Sequence, residues 1–222
     1  MAPFGTIYSY PGNFRVQRAQ VAGEFNGLEV VLDPGFEMRK TNATPEFLAK
    51  FPLGKVPAFE GADGFCLSEG AAIAYYVASA GPRADQLLGT TDVKTAALVM
   101  QWSAFADAEI VPAALGVAMM TRYKFRPFDQ STFDTHVANM VRALKRIEVA
   151  LSGSSKYLVG STVTLADIMV FGPLAFASAF LIDDAMRAEV PHVAKYLDEL
   201  AALPEFVKVF GTVEKVQTRI TT

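Results

Sequence analysis

The apolar residues Phe133, Val137, Met140, Leu144, Ile147 and Leu151 recur at steps of three and four, which sets them on one face of a helix. Helical periods of this kind dominate the chain from Asp92 onward. The first eighty residues follow a different rhythm. Short apolar runs predict strands over 6–8 and 29–32, with a helix over 15–24 between them and a short helix over 45–51 after them. The run Phe51-Pro52-Leu53-Gly54-Lys55-Val56-Pro57-Ala58-Phe59 then leads into Glu60-Gly61-Ala62-Asp63-Gly64, which has the composition of a hairpin turn. Phe65-Cys66-Leu67 returns as a strand, and Ser68-Glu69-Gly70 opens a helix reaching about Ala80. Strands alternating with helices, followed by helices alone, predict an α/β domain over 1–80 and an all-α domain over 92–222. Between them, 81–91 reads as a linker, because Gly81, Pro82 and Gly89 punctuate it.

The most apolar stretch, 163–182, is interrupted by Asp167, Gly172 and Pro173 and so predicts a buried helix rather than a membrane span. At its start Thr164 is placed to cap the helix and Asp167 to reach back to the Thr164 N–H, with Val163 and Ile168 as the staple. A formal charge of −3 over 222 residues gives no electrostatic footprint for nucleic acid. No signal peptide opens the chain, and its single cysteine, Cys66, excludes an internal disulfide. A buried, apolar Cys66 thiol and a cytoplasmic, reducing setting are expected. His136 and His192 lack metal-ligand spacing and read as surface or capping residues. Phosphate-binding loops, dinucleotide glycine patterns and serine-hydrolase elbows are absent from the sequence.

Candidate chemistry gathers around Val56-Pro57 and Glu69. A proline inside an extended run is excluded from a central strand unless its peptide bond is cis, which turns the Val56 N–H and C=O outward. Beyond the turn, a helix start places free N–H groups beside the Glu69 carboxylate. This pairing of a Val-Pro backbone with an acidic turn resembles the glutathione site of the cytosolic glutathione transferases, whose N-terminal domain is thioredoxin-like and whose second domain is helical. By that resemblance Asn42, Lys55, Val56, Pro57, Ser68, Glu69 and Gly70 bind glutathione, with Asn42 near the glycyl carboxylate and Glu69 on the γ-glutamyl ammonium. Gly70 stands where the family has Ser, so a hydroxyl contact is missing. The capping box at Thr164 is shared with the family and serves folding.

Within that superfamily the chain is most similar to the transferase-like domain of translation elongation factor 1B gamma. The words that carry it are Gly5-Thr6-Ile7-Tyr8-Ser9-Tyr10-Pro11-Gly12-Asn13-Phe14-Arg15, Thr44-Pro45-Glu46-Phe47, the Val56-Pro57 stretch through Gly64, Ala72-Ile73-Ala74-Tyr75-Tyr76-Val77, and Gln101-Trp102 with Phe105-Ala106-Asp107 and Ile110-Val111-Pro112. It departs at Glu69-Gly70-Ala71, where that family has Glu-Ser-Asn, and in ending at Thr222 without a Lys-rich linker. These departures resemble stand-alone fungal glutathione transferases of detoxification or secondary metabolism, including double-bond isomerases such as that of pseurotin biosynthesis. The resemblance implies that glutathione thiolate adds to a small electrophile, by transfer or by reversible addition that isomerises a double bond. Its alternative is a non-catalytic translation-factor scaffold.

For activation of the thiol the residues after the first strand offer Tyr8, Ser9, Tyr10 and Asn13, with Arg15 as a nearby cation. Ser9 and Asn13 fit best by type, while Tyr8 is expected to point into the sheet. Tyr10, Phe14, Met119, Met120, Arg122, Tyr123 and Phe125 form the expected pocket for a flat or bulky electrophile. Trp102 and Asp107 are expected at a domain or subunit interface. A homodimer is expected through Phe59, Phe65, Tyr75, Trp102 and Phe105.

Overall fold

A computed structural model describes residues 2–153 and 156–221. Strands β1 (Gly5–Tyr8), β2 (Val30–Leu32), β3 (Ala58–Gly61) and β4 (Cys66–Ser68) form one mixed sheet in the order β2-β1-β3-β4. β1 runs parallel to β2 and antiparallel to β3, and β3 pairs antiparallel with β4. Ile7 lies opposite Phe59, and both are fully buried. The parallel pair needs a crossover, supplied by helix α1 (Phe14–Asn26). It ends at Gly27 in the left-handed region (φ 65°), where the Gly27 N–H turns back to the Glu24 and Gly23 carbonyls. Helices α2 (Pro45–Lys50) and α3 (Gly70–Ser79) complete this half, with α3 packed against α1.

The segment expected as a linker contains helix α4 (Ala84–Leu88), closed by Gly89 at φ 65°. Its glycines and proline bound a short helix rather than excluding one. Leu87 and Leu88 are buried and join the core, while Pro82, Arg83, Asp85 and Thr90 are exposed.

The helical half contains α5 (Val93–Phe105), α6 (Val111–Thr121), α7 (Gln130–Leu151), α8 (Leu165–Ser178), α9 (Asp184–Glu189), α10 (Pro191–Ala201) and α11 (Pro204–Phe210). The expected face of α7 faces inward: Phe133, Met140, Leu144, Ile147 and Leu151 are buried and Val137 is half-buried. α8 is buried along almost its whole length, against α1, α5 and α6 among others. At its start the Asp167 carboxylate accepts the Thr164 N–H at 2.8 Å, as expected of the capping box, and also the Tyr196 hydroxyl at 2.9 Å. The continuous helical run Val93–Thr121 is long and apolar enough to cross a bilayer by length and composition, but half of its most apolar window is buried within the fold.

That run passes from α5 to α6 through a wide turn at Ala106–Ile110, where the Val111 N–H bonds the Ala106 carbonyl five residues back. Pro112 explains the turn, since it cannot donate and its ring would collide with a carbonyl four residues earlier. α8 holds a second internal proline, Pro173, which leaves the Met169 carbonyl without its helical donor. Arg18 of α1, fully buried, reaches both irregularities: Nη1 donates to Asp107 in the wide turn and Nη2 to the Met169 carbonyl, each at 2.6 Å. Gly172 makes the room, because a Cβ there would lie 3.2 Å from Arg18 Cγ and 3.3 Å from Nε.

One apolar core runs through both halves, from Ile7 and Val77 to Trp102, Leu144, Phe171 and Phe206. Phe59 and Trp102, expected at a subunit contact, are buried inside it. Alternation and helical period predict burial, and here the chain itself provides the cover. Cys66 is half-buried rather than fully enclosed, and burial, then the Glu60 carboxylate, push its thiol up. His136 is packed on α6, where a Cβ on Gly116 would fall 2.2 Å from its Nε2. His192 lies at the start of α10, its N–H bonded to Glu148.

Candidate functional site

A cleft of about 720 Å³ opens between the sheet half and the α5–α6 run. One wall is the loop from α2 to β3, with Gly54, Lys55, Val56 and Pro57. Gly54 takes φ 58°, and a Cβ there would stand 2.9 Å from the Asn42 carbonyl. The buried Asn42 side chain fixes this loop, donating to the Gly54 carbonyl and accepting the Arg39 N–H, both at 2.6 Å. Asn42 therefore shapes the wall without lining the cleft. The Val56–Pro57 bond is cis, as the sequence predicts, and the Val56 N–H and C=O have no backbone partner among the described residues.

Opposite lies the turn Ser68, Glu69 and Gly70, all three on the cleft. Glu69 adopts φ 70° and ψ 116°, a conformation costing a non-glycine residue about 1–3 kcal/mol. Its side chain caps nothing, and α3 begins with N–H groups that have no helical acceptor. Arg15 completes this corner: a Cβ on Gly70 would sit 3.1, 3.4 and 3.5 Å from Arg15 Cβ, Cδ and Cγ. The arginine stem lies against position 70, in tight contact only at Cβ.

Four charged side chains line the cleft: Arg15, Lys55, Glu69 and Asp107. Asp107 is paired with Arg18, whereas the other three enter no ion pair among the described residues. Tyr10, Val111, Leu115 and Met119 form the apolar side. Burial and the neighbouring Tyr123 push the Tyr10 hydroxyl up, against the opposing charge of Arg15. Tyr10 thus keeps its proton at neutral pH.

The residues expected to activate a thiol divide. Ser9 and Asn13 are buried and bonded to each other, with Asn13 Nδ2 donating to Ser9 Oγ at 3.0 Å. Asn13 also caps α1 by accepting the Arg15 N–H at 3.1 Å. Neither lines the cleft. The Tyr8 hydroxyl donates to Glu60 at 2.8 Å and, through burial and then that bond, is pushed up to about 12. Its ring packs on Phe47 and on Phe51, which lines the cleft, and Tyr8 itself does not. Of this group, Tyr10 and Arg15 reach the cleft.

The expected electrophile pocket is also split. Tyr10 and Met119 line the cleft, while Met120 is buried in the core. Phe14 and Arg122 line a separate, smaller cavity of about 140 Å³ together with Phe176. Tyr123 stacks between Phe176 (6.4 Å) and the exposed Phe125 (5.7 Å) and lies beside Tyr10. Asp107, expected at a domain or subunit interface, lies between the two halves, on the cleft and paired with Arg18 of α1. Pro112, five residues later in an apolar helix, is the sequence signal that a wide turn would expose it.

A second groove, of about 620 Å³, lies on another face and is lined by Phe65, Leu67, Tyr75, Tyr76 and Met100. Among the described residues no group of His, Cys, Asp and Glu has the arrangement to hold a metal ion.

A thioredoxin-like sheet domain joined to a helical bundle, with a cis Val-Pro loop facing an acidic turn, defines the class of the glutathione transferases. The N-terminal domain of glutathione S-transferase matches residues 3–79 and the C-terminal domain residues 105–204, and the chain belongs to this family. It is similar to the glutathione S-transferase-like protein LUC7 of Fusarium sp, with 43% identity over 211 residues covering 95% of this chain and 94% of that protein. It is also similar to elongation factor 1-gamma of Homo sapiens, with 39% identity over 95% of this chain, which spans 47% of that longer protein. The GST-like domain of elongation factor 1-gamma from Saccharomyces cerevisiae has the same fold, with a TM-score of 0.83 at 22% identity, covering 100% of this chain and 99% of that one.

Proposed function

We propose that the cleft binds glutathione and that the protein is a cytoplasmic glutathione-dependent transferase acting on a small electrophile. The charge pattern of the cleft carries this reading. Glutathione has two carboxylates and one ammonium at neutral pH, and among the described residues the cleft presents two unpaired cations, Arg15 and Lys55, and one unpaired anion, Glu69. The fourth charge, Asp107, is already neutralised by Arg18. The Val56 N–H and C=O suit the cysteinyl peptide of an extended tripeptide. Glu69 takes the ammonium, and Lys55 faces the glycyl end. In this geometry the sulfur points toward Tyr10 and the apolar side of the cleft.

The bound thiolate adds to an electrophilic carbon, and the new electron pair is protonated to leave a thioether. In a conjugated substrate the same addition permits rotation about the former double bond; elimination of thiolate then returns the isomer without consuming glutathione. Tyr10, Met119 and the Tyr123 stack offer a flat apolar surface for such a substrate.

Calorimetric titration with glutathione tests the reading, and Glu69→Ala should weaken binding by about 1.5–3 kcal/mol. No binding at millimolar glutathione would overturn it. The 39% identity to elongation factor 1-gamma supports a second reading, a non-catalytic scaffold, which would appear as binding without turnover of any conjugated electrophile. We also propose a homodimer that covers the apolar groove, since Phe65, Tyr75 and Met100 are exposed there. A stable contact needs about 1,000 Å² or more of buried surface. Sedimentation at micromolar concentration should give twice the chain mass, and a monomer would refute the pairing.

A further inference from the structure

We propose that Arg15 replaces the hydroxyl that Gly70 lacks and binds the α-carboxylate at the γ-glutamyl end of glutathione. The inference rests on the glutathione reading above and adds a specificity-determining residue to it. An amino-acid end carries its ammonium and carboxylate on one carbon, so the groups that bind them must be neighbours. Glu69 and Arg15 meet this condition, because the Arg15 stem lies across Gly70, the residue next to Glu69. Lys55 stands on the separate α2–β3 loop and is left for the other carboxylate.

The arginine is held for this task. It projects from the first turn of α1, and its guanidinium carbon lies 4.9 Å from the centroid of the buried Phe14 ring. No carboxylate of the described residues pairs with it, so its donors are available to a ligand. Glycine at position 70 leaves room for the arginine stem to pass. A Cβ there would come 3.1 Å from Arg15 Cβ, closer than side chains normally pack, with Cδ and Cγ at contact distances of 3.4 and 3.5 Å, so the stem would have to shift by a few tenths of an ångström. Arginine and glycine together do what a hydroxyl at position 70 would do alone.

The test compares glutathione with γ-aminobutyryl-cysteinylglycine, which keeps the amine, thiol and glycyl end but lacks the α-carboxylate. The unaltered protein should prefer glutathione by about 10- to 100-fold, the range of a charge-assisted contact. Arg15→Ala should lower glutathione affinity to that of the analogue and leave analogue affinity unchanged, while Arg15→Lys restores part of the preference. Gly70→Ser should reduce the preference for glutathione in the native background, because its Cβ would come 3.1 Å from Arg15 Cβ and shift the stem. Equal losses for both ligands in Arg15→Ala, or a preference that survives it, would overturn the assignment while leaving the glutathione site in place. Failure of the unaltered protein to bind glutathione at millimolar concentration would instead overturn the site itself, and this assignment with it.

Discussion

Removing Asp107, which borders the open cleft, should destabilise the protein more than removing the buried Arg18 that it pairs with. Arg18 is 0% exposed and the Asp107 side chain 38% exposed, so the two ends of the 2.6 Å pair differ in their access to water. Burial pulls the Arg18 guanidinium below its ordinary value, and Asp107 opposes that shift. In Asp107→Ala the guanidinium stays inside the bundle with the Met169 carbonyl as its one hydrogen-bond partner among the described residues, where Arg18 Nε has none. Leaving a buried charge uncompensated costs about 3–5 kcal/mol. In Arg18→Met a side chain of similar length is apolar and the Asp107 carboxylate rehydrates from the cleft. What is lost is the donor to the Met169 carbonyl, about 1–3 kcal/mol. The difference of about 2 kcal/mol should appear in urea unfolding followed by the fluorescence of Trp102, the single tryptophan, which is buried in the core. The double variant should be no less stable than Asp107→Ala alone, because removing the arginine removes the stranded charge. Equal losses for the two single variants, or additive losses in the double one, would refute this account of the pair.

Tyr10→Phe should raise the pH at which the thiolate of bound glutathione is half-formed by about one unit, worth about 1.4 kcal/mol, since the donor to sulfur must line the cleft. A shift in the thiolate absorbance midpoint seen only in Ser9→Ala or Asn13→Ala would assign that role to the buried pair. Lys50 lies 2.6 and 2.8 Å from the two Glu60 oxygens and holds that carboxyl below its ordinary value, with burial opposing and Tyr8 assisting. A depressed carboxylate stabilises the fold above its unfolded value and loses that contribution as pH falls through the folded one. Lys50→Met should therefore narrow the stability gap between about pH 7 and about pH 4 by up to about 1 kcal/mol, and an unchanged gap would refute the assignment.

What the sequence revealed was local. The inward face of α7 follows from the spacing of Phe133 to Leu151, and the cis bond and acidic turn follow from Val56-Pro57 and Glu69 with their flanking residues. Ser9 to Asn13 escaped the same treatment because hydrogen-bonding residues beside Pro11-Gly12 serve equally as turn formers, caps and donors to a ligand. Gly12, at φ 75°, reverses the chain and directs Asn13 into the cap of α1, while Tyr10 is left on the cleft. Phe59 and Trp102 show a related limit: an apolar period predicts that a residue is covered, but it does not say by what.

The Arg18 pair spans 89 residues to Asp107 and 151 to Met169, beyond any periodicity, yet its cause is written in two prolines. Pro112 opens a wide turn that brings Asp107 to the cleft, and Pro173 frees the carbonyl of Met169 within α8. Each defect by itself weakens a helix. A single arginine from α1 answers both, which fastens the sheet half to the helices that form the other side of the cleft. The same logic accounts for glycines that helix propensity disfavours: Gly172 gives way to the Arg18 stem and Gly70 to that of Arg15. Across this boundary, glycine positions record where arginines from α1 must pass, and the two arginines divide the work between them, Arg18 holding the cleft together and Arg15 facing what enters it.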